Sequence, residues 1–157
     1  MVIKMDVYSR MSNLGLKLPP VPENGGIFVG CKKLCEDMLY VSGCGCTIGE
    51  SGTFGKVGRD VTLEEAQDAA SDTMRNFLAV VEKEIGDLNR IISFVKLLVF
   101  VSSDPDFYDQ PKVANGATKL LVDLFGEKIG CPSRSAVGVA VLPNNISVEI
   151  EGIVKIR

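Results

Sequence analysis

Two residues near the carboxyl end of the chain are of the types that chemistry on a small anion requires. Arg134 begins the run Arg-Ser-Ala-Val-Gly-Val-Ala-Val, and Glu149 sits inside Ile146–Ile156. A guanidinium takes a carboxylate through two parallel hydrogen bonds, and a glutamate can polarise a water or shuttle a proton. Small Ala136 and Gly138 follow the arginine at every second position, the interval that keeps strand residues on one face. Pro143-Asn144-Asn145 is turn chemistry, since proline fixes φ and asparagine tolerates positive φ. An antiparallel return at that turn would put the guanidinium, the small residues and the carboxylate on one sheet face. The same pattern also fits a solvated face with an exposed ion pair. Spacing alone leaves both readings open.

What the composition lacks narrows the chemistry further. There is no histidine, which removes the commonest general base, the Ser-His and Cys-His nucleophile pairs and most zinc sites. Five cysteines (Cys31, Cys35, Cys44, Cys46 and Cys131) form an odd set with no regular framework, which predicts reduced thiols in a cytoplasmic protein. Cys31-x-x-x-Cys35 and Cys44-x-Cys46 are not the spacing of a zinc knuckle, so packed thiols are expected and no metal or cofactor.

The bulk properties are those of one globular domain. The chain has 157 residues, 46% hydrophobic and 24% charged, with a formal net charge of −3. An acidic balance without a Lys/Arg run argues against a nucleic-acid binder. No apolar run approaches the roughly 20 residues needed to span a bilayer, and the first residues lack a signal peptide's apolar core.

The elements that must position Arg134 and Glu149 follow from periodicity. Residues 1–16 fit a short amphipathic helix with Val7, Met11 and Leu14 on one face, and Leu18 to Gly26 is an extended linker. Ile27–Leu34 and Met38–Gly43 read as strands around the turn Cys35-Glu36-Asp37. Six glycines between Gly43 and Arg59 lack the spacing of a phosphate loop, so this stretch is either a connector or a mobile loop near a site. Thr62-Leu63-Glu64-Glu65 is a capping box opening a helix to about Ile85, with Gly86 as its C-cap. Arg90–Val101 is an apolar, β-branched strand of the kind covered on both faces. Pro111 opens a second helix through Phe125.

After the N-terminal helix, the order is β-β-α-β-α-β-β: an α+β domain with one mixed sheet and two helices on one face. The other face keeps many apolar residues, which predicts a homo-oligomer that covers it.

The chain resembles the YjgF/RidA superfamily, also called endoribonuclease L-PSP, in particular its larger, poorly characterised branch. The resemblance rests on Leu39-Tyr40-Val41-Ser42-Gly43, the helix from Thr62, Val95–Val101, Asp106-Phe107 and Asn115. Most specific is Pro132-Ser133-Arg134-Ser135-Ala136-Val137, continuing through Leu142-Pro143 to Val148-Glu149-Ile150-Glu151. It covers residues 27–157 as one domain, leaving 1–26 as N-terminal helix and linker.

The resemblance implies a chorismate-mutase-like fold, a homotrimer with a barrel-like core and three clefts between subunits, and hydrolysis of enamine or imine intermediates such as 2-aminoacrylate. It implies that Arg134 holds the substrate carboxylate, that Glu149 orients the water and that Asn115 lines the cleft. Ala136 stands where the deaminases have a cysteine, Phe28 or Val29 where they have a tyrosine, and Gly138 where they have a glutamate. A small-carboxylate binder without catalysis is the alternative. An endoribonuclease or translation inhibitor fits an acidic, histidine-free chain least well.

Overall fold

The computed structural model describes residues 6–157. The predicted helix over residues 1–16 is found as α1, Val7–Asn13, and residues 1–5 lie outside the described part. Asp6 caps α1 by accepting the Ser9 N–H at 3.1 Å. Val7 and Met11, one turn apart, are buried, whereas Leu14 lies past the helix end and is half exposed. Tyr8 secures α1 to the body: its hydroxyl donates to Glu82 at 2.7 Å and accepts the Leu88 N–H at 2.9 Å.

Strands β1 (Cys31–Cys35) and β2 (Met38–Gly45) form a hairpin, followed by α2 (Leu63–Ile85), β3 (Ile91–Ser102) and α3 (Gln110–Phe125). A short α4 (Glu127–Gly130), absent from the sequence-based expectation, precedes β4 (Ser133–Val139) and β5 (Val148–Ile156). The capping box at Thr62 and Glu65 is complete, and Gly86 takes the left-handed conformation that ends α2. Strand β1 starts at Cys31, so Phe28 and Val29 belong to the irregular segment before it.

The five strands form one sheet in the order β1-β2-β5-β3-β4, and only β3 and β4 run parallel. This corrects the expected pairing at the carboxyl end. Strands β4 and β5 are not a hairpin; each lies on its own side of β3. The turn itself is as read, with Asn144 and Asn145 at φ 53° and 60°. Residues 140–147, however, pass around the end of β3, where the Ser102 N–H donates to Ser147 O at 2.9 Å. Strand β5 then enters between β2 and β3, because its alternate residues Val148, Ile150, Gly152, Val154 and Ile156 are apolar enough to be buried in the middle of the sheet.

The glycine-rich stretch is tied down. The buried Asn76 of α2 donates to Gly45 O and Thr47 O at 2.9 and 2.8 Å. Further on, the Ser147 N–H donates to Thr53 O, its hydroxyl donates to Gly55 O, and Val57 is fully buried. A docked connector is the outcome of the two readings.

Helices α2 and α3 cover one face of the sheet. Ala66, Ala69 and Ala70 of α2 and Ala114 and Ala117 of α3 are all buried, and Gly116 lets the α3 backbone come close to Gln67 of α2. The opposite face of β3 is not covered by the chain itself, so Ile92 and Val95 stay exposed rather than being enclosed on both sides as expected.

A glycine-to-alanine change inside a helix ordinarily stabilises by ~1 kcal/mol. At Gly116 the new Cβ would overlap the Gln67 carbonyl oxygen and stand 2.7 Å from its carbon. This is backbone that cannot swing aside, and such overpacking costs about 1–3 kcal/mol. Gly116→Ala is therefore expected to lower the urea midpoint, opposite in sign to its helix propensity.

Candidate functional site

Arg134 lies on β4 in register with Leu97 of β3, which is fully buried under the helices. Paired strand residues share a face, so the guanidinium projects toward α3. There Nη1 donates to Asn115 Oδ1 at 3.0 Å and Thr118 Oγ1 at 2.9 Å, and Nη2 donates to Pro111 O at 3.1 Å. All three acceptors are neutral. None of the ion pairs among the described residues includes Arg134. A guanidinium has about five N–H donors, so two stay without a protein acceptor, the number a carboxylate takes. Burial pushes the pKa of Arg134 down, yet a guanidinium stays charged. The result is a cation fixed by a helix and paired with no carboxylate among the described residues.

Asn115 is thus brought to Arg134, where its side-chain oxygen accepts from the guanidinium. Ala136, two residues along β4, lies on the same face and is partly buried against the core. Beyond it Gly138 is closely approached: a Cβ there would stand only 2.9 Å from Gln110 Nε2 and Ser103 Oγ, so one of them would have to shift. Thr118 was missed by the sequence reading. Its signal was present, because it stands one helical turn after Asn115 and therefore on the same face.

Glu149 is placed elsewhere, which corrects the single-face reading. It lies between Val148 and Ile150, both fully buried on the helix side, and in register with Phe100 of β3 and Gly45 of β2. Alternation therefore turns its carboxylate to the open face, with β3 between it and Arg134. No hydrogen bond or ion pair among the described residues reaches this carboxylate. It rests instead against Gly43. Nearby, Tyr40 donates from its hydroxyl to Glu151 at 2.8 Å.

Phe28 lies at the β1–β2 end of the sheet, away from Arg134 on the opposite edge strand. It is half exposed and lines a groove with Val29, Tyr40 and Ser42. Ser42 stitches the segment to β2 by donating its hydroxyl to Val29 O at 2.7 Å and its N–H to Gly30 O at 2.9 Å. The candidate residues therefore fall into two groups on opposite faces of the sheet: Arg134, Asn115, Thr118 and Ala136 on the helix side, Glu149, Gly43 and Ser42 on the open side, where Phe28 lines the groove next to Ser42.

Two of the thiols, Cys44 and Cys31, are kept protonated. Burial first, and then the charge of Glu149, push Cys44 up to about 12, and burial pushes Cys31 up to about 11. Among the described residues no grouping of His, Cys, Asp and Glu could hold a metal ion, and no helix is long and apolar enough to cross a membrane.

Burial, and secondarily Glu151, raise the Glu149 carboxyl above its ordinary 4.5. A carboxyl whose pKa is higher folded than unfolded binds more protons in the folded state. Its contribution to stability therefore falls as pH rises from the unfolded value through the folded one. Glu149→Gln removes that dependence. The variant should match wild type in acid and become progressively more stable than it toward neutral pH, levelling off once the carboxyl is ionised. Urea midpoints of both proteins across this range measure the difference. A constant difference would mean that the carboxylate is not desolvated.

Comparison with known proteins bears on both halves of the site. The family model described as Endoribonuclease L-PSP matches residues 30–156. Protein TCP17 of Trypanosoma cruzi is 36% identical over 159 residues, covering 96% of this chain and 94% of its own. A 2-iminobutanoate/2-iminopropanoate deaminase of Dermatophagoides farinae is 33% identical over 108 residues, 66% of this chain and 75% of its own. A crystal structure of the protein Atu1372 from Agrobacterium tumefaciens superposes with a TM-score of 0.85 at 39% identity, covering 96% of this chain and 91% of its own. With a match that runs through β1 to β5 and takes in both Arg134 and Glu149, the chain belongs to the Endoribonuclease L-PSP family, the YjgF/RidA superfamily.

Proposed function

We propose that this protein hydrolyses small enamine or imine carboxylates in clefts between subunits of a homotrimer. Arg134 of one subunit takes the substrate carboxylate with its two spare N–H donors. Glu149 of a neighbouring subunit orients the water. Water adds to the C=N carbon, the nitrogen is protonated, and the carbon–nitrogen bond breaks to release a 2-keto acid and ammonia. Imines hydrolyse readily, so fixing the anion and one water is a sufficient task for the protein, and neither histidine nor metal is required.

The observation that carries this reading is Arg134, a cation held by Asn115, Thr118 and Pro111 without any carboxylate partner. The opposite-face arrangement supports the shared cleft, since one chain cannot bring Arg134 and Glu149 together. An interface that joins two different patches of the same protein is heterologous, and a heterologous interface whose rotation closes gives a ring. The exposed apolar residues Ile92, Val95, Val137 and Tyr40 support burial of the open face in such a ring. The similarity to an iminobutanoate deaminase supports the substrate class.

A second reading is favoured by Ala136 and Gly138, which stand where the deaminases have a cysteine and a glutamate. The cleft would then bind a small carboxylate without turning it over. The net charge of −3 and the absence of histidine weigh against RNA cleavage.

Subunit complementation tests the shared cleft and the reaction together. Arg134→Ala and Glu149→Gln should each abolish keto-acid release from enzymatically generated 2-iminobutyrate. Co-expressed, they should recover about a quarter of the wild-type rate, because random assembly unites one intact half from each variant at that fraction of interfaces. Co-expression that recovers nothing would exclude a site built from two chains. Saturable keto-acid binding without turnover by wild type would favour the binding protein.

A further inference from the structure

We propose that Gly43 is a positioning residue: its missing side chain forms the seat that sets where the Glu149 carboxylate stands. The inference rests on the reading of Glu149 as the group that handles water, and it adds a residue to which no role has been assigned.

The geometry begins with an irregularity in β2. Its pairing with β5 runs regularly to Val41↔Gly152 and resumes at Cys44↔Ile150. Ser42 and Gly43 therefore share the place opposite Glu151, the signature of a β-bulge. Before the bulge Leu39 and Val41 are buried under the helices, and after it Cys44 and Cys46 are. The inward-facing set thus shifts by one residue, and Ser42 and Gly43 both turn to the open face. Bulges re-aim side chains next to functional sites, and this one leaves a position without a side chain beside Glu149.

The space at that position is filled by the acid. A Cβ built on Gly43 would overlap Glu149 Oε1 and stand 2.9 Å from its carboxyl carbon. The backbone does not call for glycine here, because φ lies outside the left-handed region where glycine is favoured. What glycine provides is room. The contrast with Gly116 is informative: there a methyl group would strike immovable backbone, whereas at Gly43 it would strike the end of a flexible side chain. The chain tolerates a methyl at Gly43 by moving the carboxylate.

The Glu149 carboxylate has no hydrogen-bond partner among the described residues, so contact with Gly43 and the flanking strands is what fixes it. Seated there, the carboxyl is half-buried, and burial is the first cause of its raised pKa. Expelled from the seat, it would meet water.

Gly43→Ala tests this in the intact protein, with two readouts that do not depend on each other. The carboxyl titration of Glu149, followed by carbon-13 NMR, should move down toward the ordinary glutamate value while the Tm stays close to wild type. With 2-iminobutyrate, kcat should fall about tenfold or more, the scale of a misplaced acid–base group. KM should change little, since Arg134 is untouched. The double variant Gly43→Ala with Glu149→Asp should regain part of the loss, because a side chain shorter by one methylene fits beside the new methyl. This rescue also serves if the single variant folds poorly.

An unshifted Glu149 titration in a folded Gly43→Ala, or a loss of turnover that Glu149→Asp does not relieve, would overturn the seat. If wild type turns out to have no deaminase activity, the function proposed above fails, and the NMR titration still decides the role of Gly43.

Discussion

Strict alternation along β5 is the constraint on which the arrangement depends. Val148, Ile150, Val154 and Ile156 are committed to the helix side by burial, and Gly152 keeps the same side where α2 comes close, with Phe77 3.3 Å from its would-be Cβ. Glu149 and Glu151 have no choice but the open face. The parallel register of β4 on β3 makes the complementary commitment for Arg134, which inherits the inward orientation of Leu97. Sliding either strand by one residue would exchange every buried group for an exposed one. The positions of both charges are thus set by hydrophobic burial, and the polar groups near them only refine what burial dictates.

Much of this was readable in the order of residues, and what was not has specific causes. The helix from Thr62 to Ile85 carried its own start and stop signals, and the inward set of β5 followed from a period of two. The partner of β5 did not. A turn motif such as Pro143-Asn144-Asn145 predicts a reversal, but whether the returning strand pairs with the one before it depends on which neighbour can bury it. Here Gly152 and its flanking valines and isoleucines fit beneath α2, and the chain passes the end of β3 to reach that place. The face shared by Arg134 and Ala136 was legible from spacing. That Glu149 shared it was an inference from the absent hairpin and failed with it.

The bulge at Ser42-Gly43 shows a different limit. Tyr40 and Ser42 face outward by simple alternation, and Gly43 should then face the core. Only the extra residue opposite Glu151 changes that, and nothing in the composition of Ser-Gly-Cys-Gly-Cys announces a bulge as opposed to a glycine-rich loop. Asn76 in α2 was equally silent. It sits in an apolar stripe, buried, and its two hydrogen bonds to Gly45 and Thr47 fix the end of β2 just beyond the bulge. Leaving those carbonyls without a donor costs ~1–3 kcal/mol, which explains an amide at a buried helix position.

Two isolated charges of opposite sign on opposite faces of one subunit have an energetic consequence. Each is partly desolvated, and burial disfavours each in its charged form. A lone monomer bears both costs with no return from pairing. In the ring proposed above, each interface would set the cation of one copy against the acid of the next. A carboxylate ligand between them would supply the anion Arg134 lacks, and its imine nitrogen would be held within reach of a proton donor. The acid is then most useful if it does not ion-pair directly with the arginine, because a direct bond would close the cleft and lower the carboxyl's pKa. Holding Glu149 against Gly43, with no hydrogen bond of its own, keeps it available to water; holding Arg134 on Asn115, Thr118 and Pro111 keeps it at a fixed station on its own helix. The separation that forbids a site within one chain is what would keep the proposed site open between two.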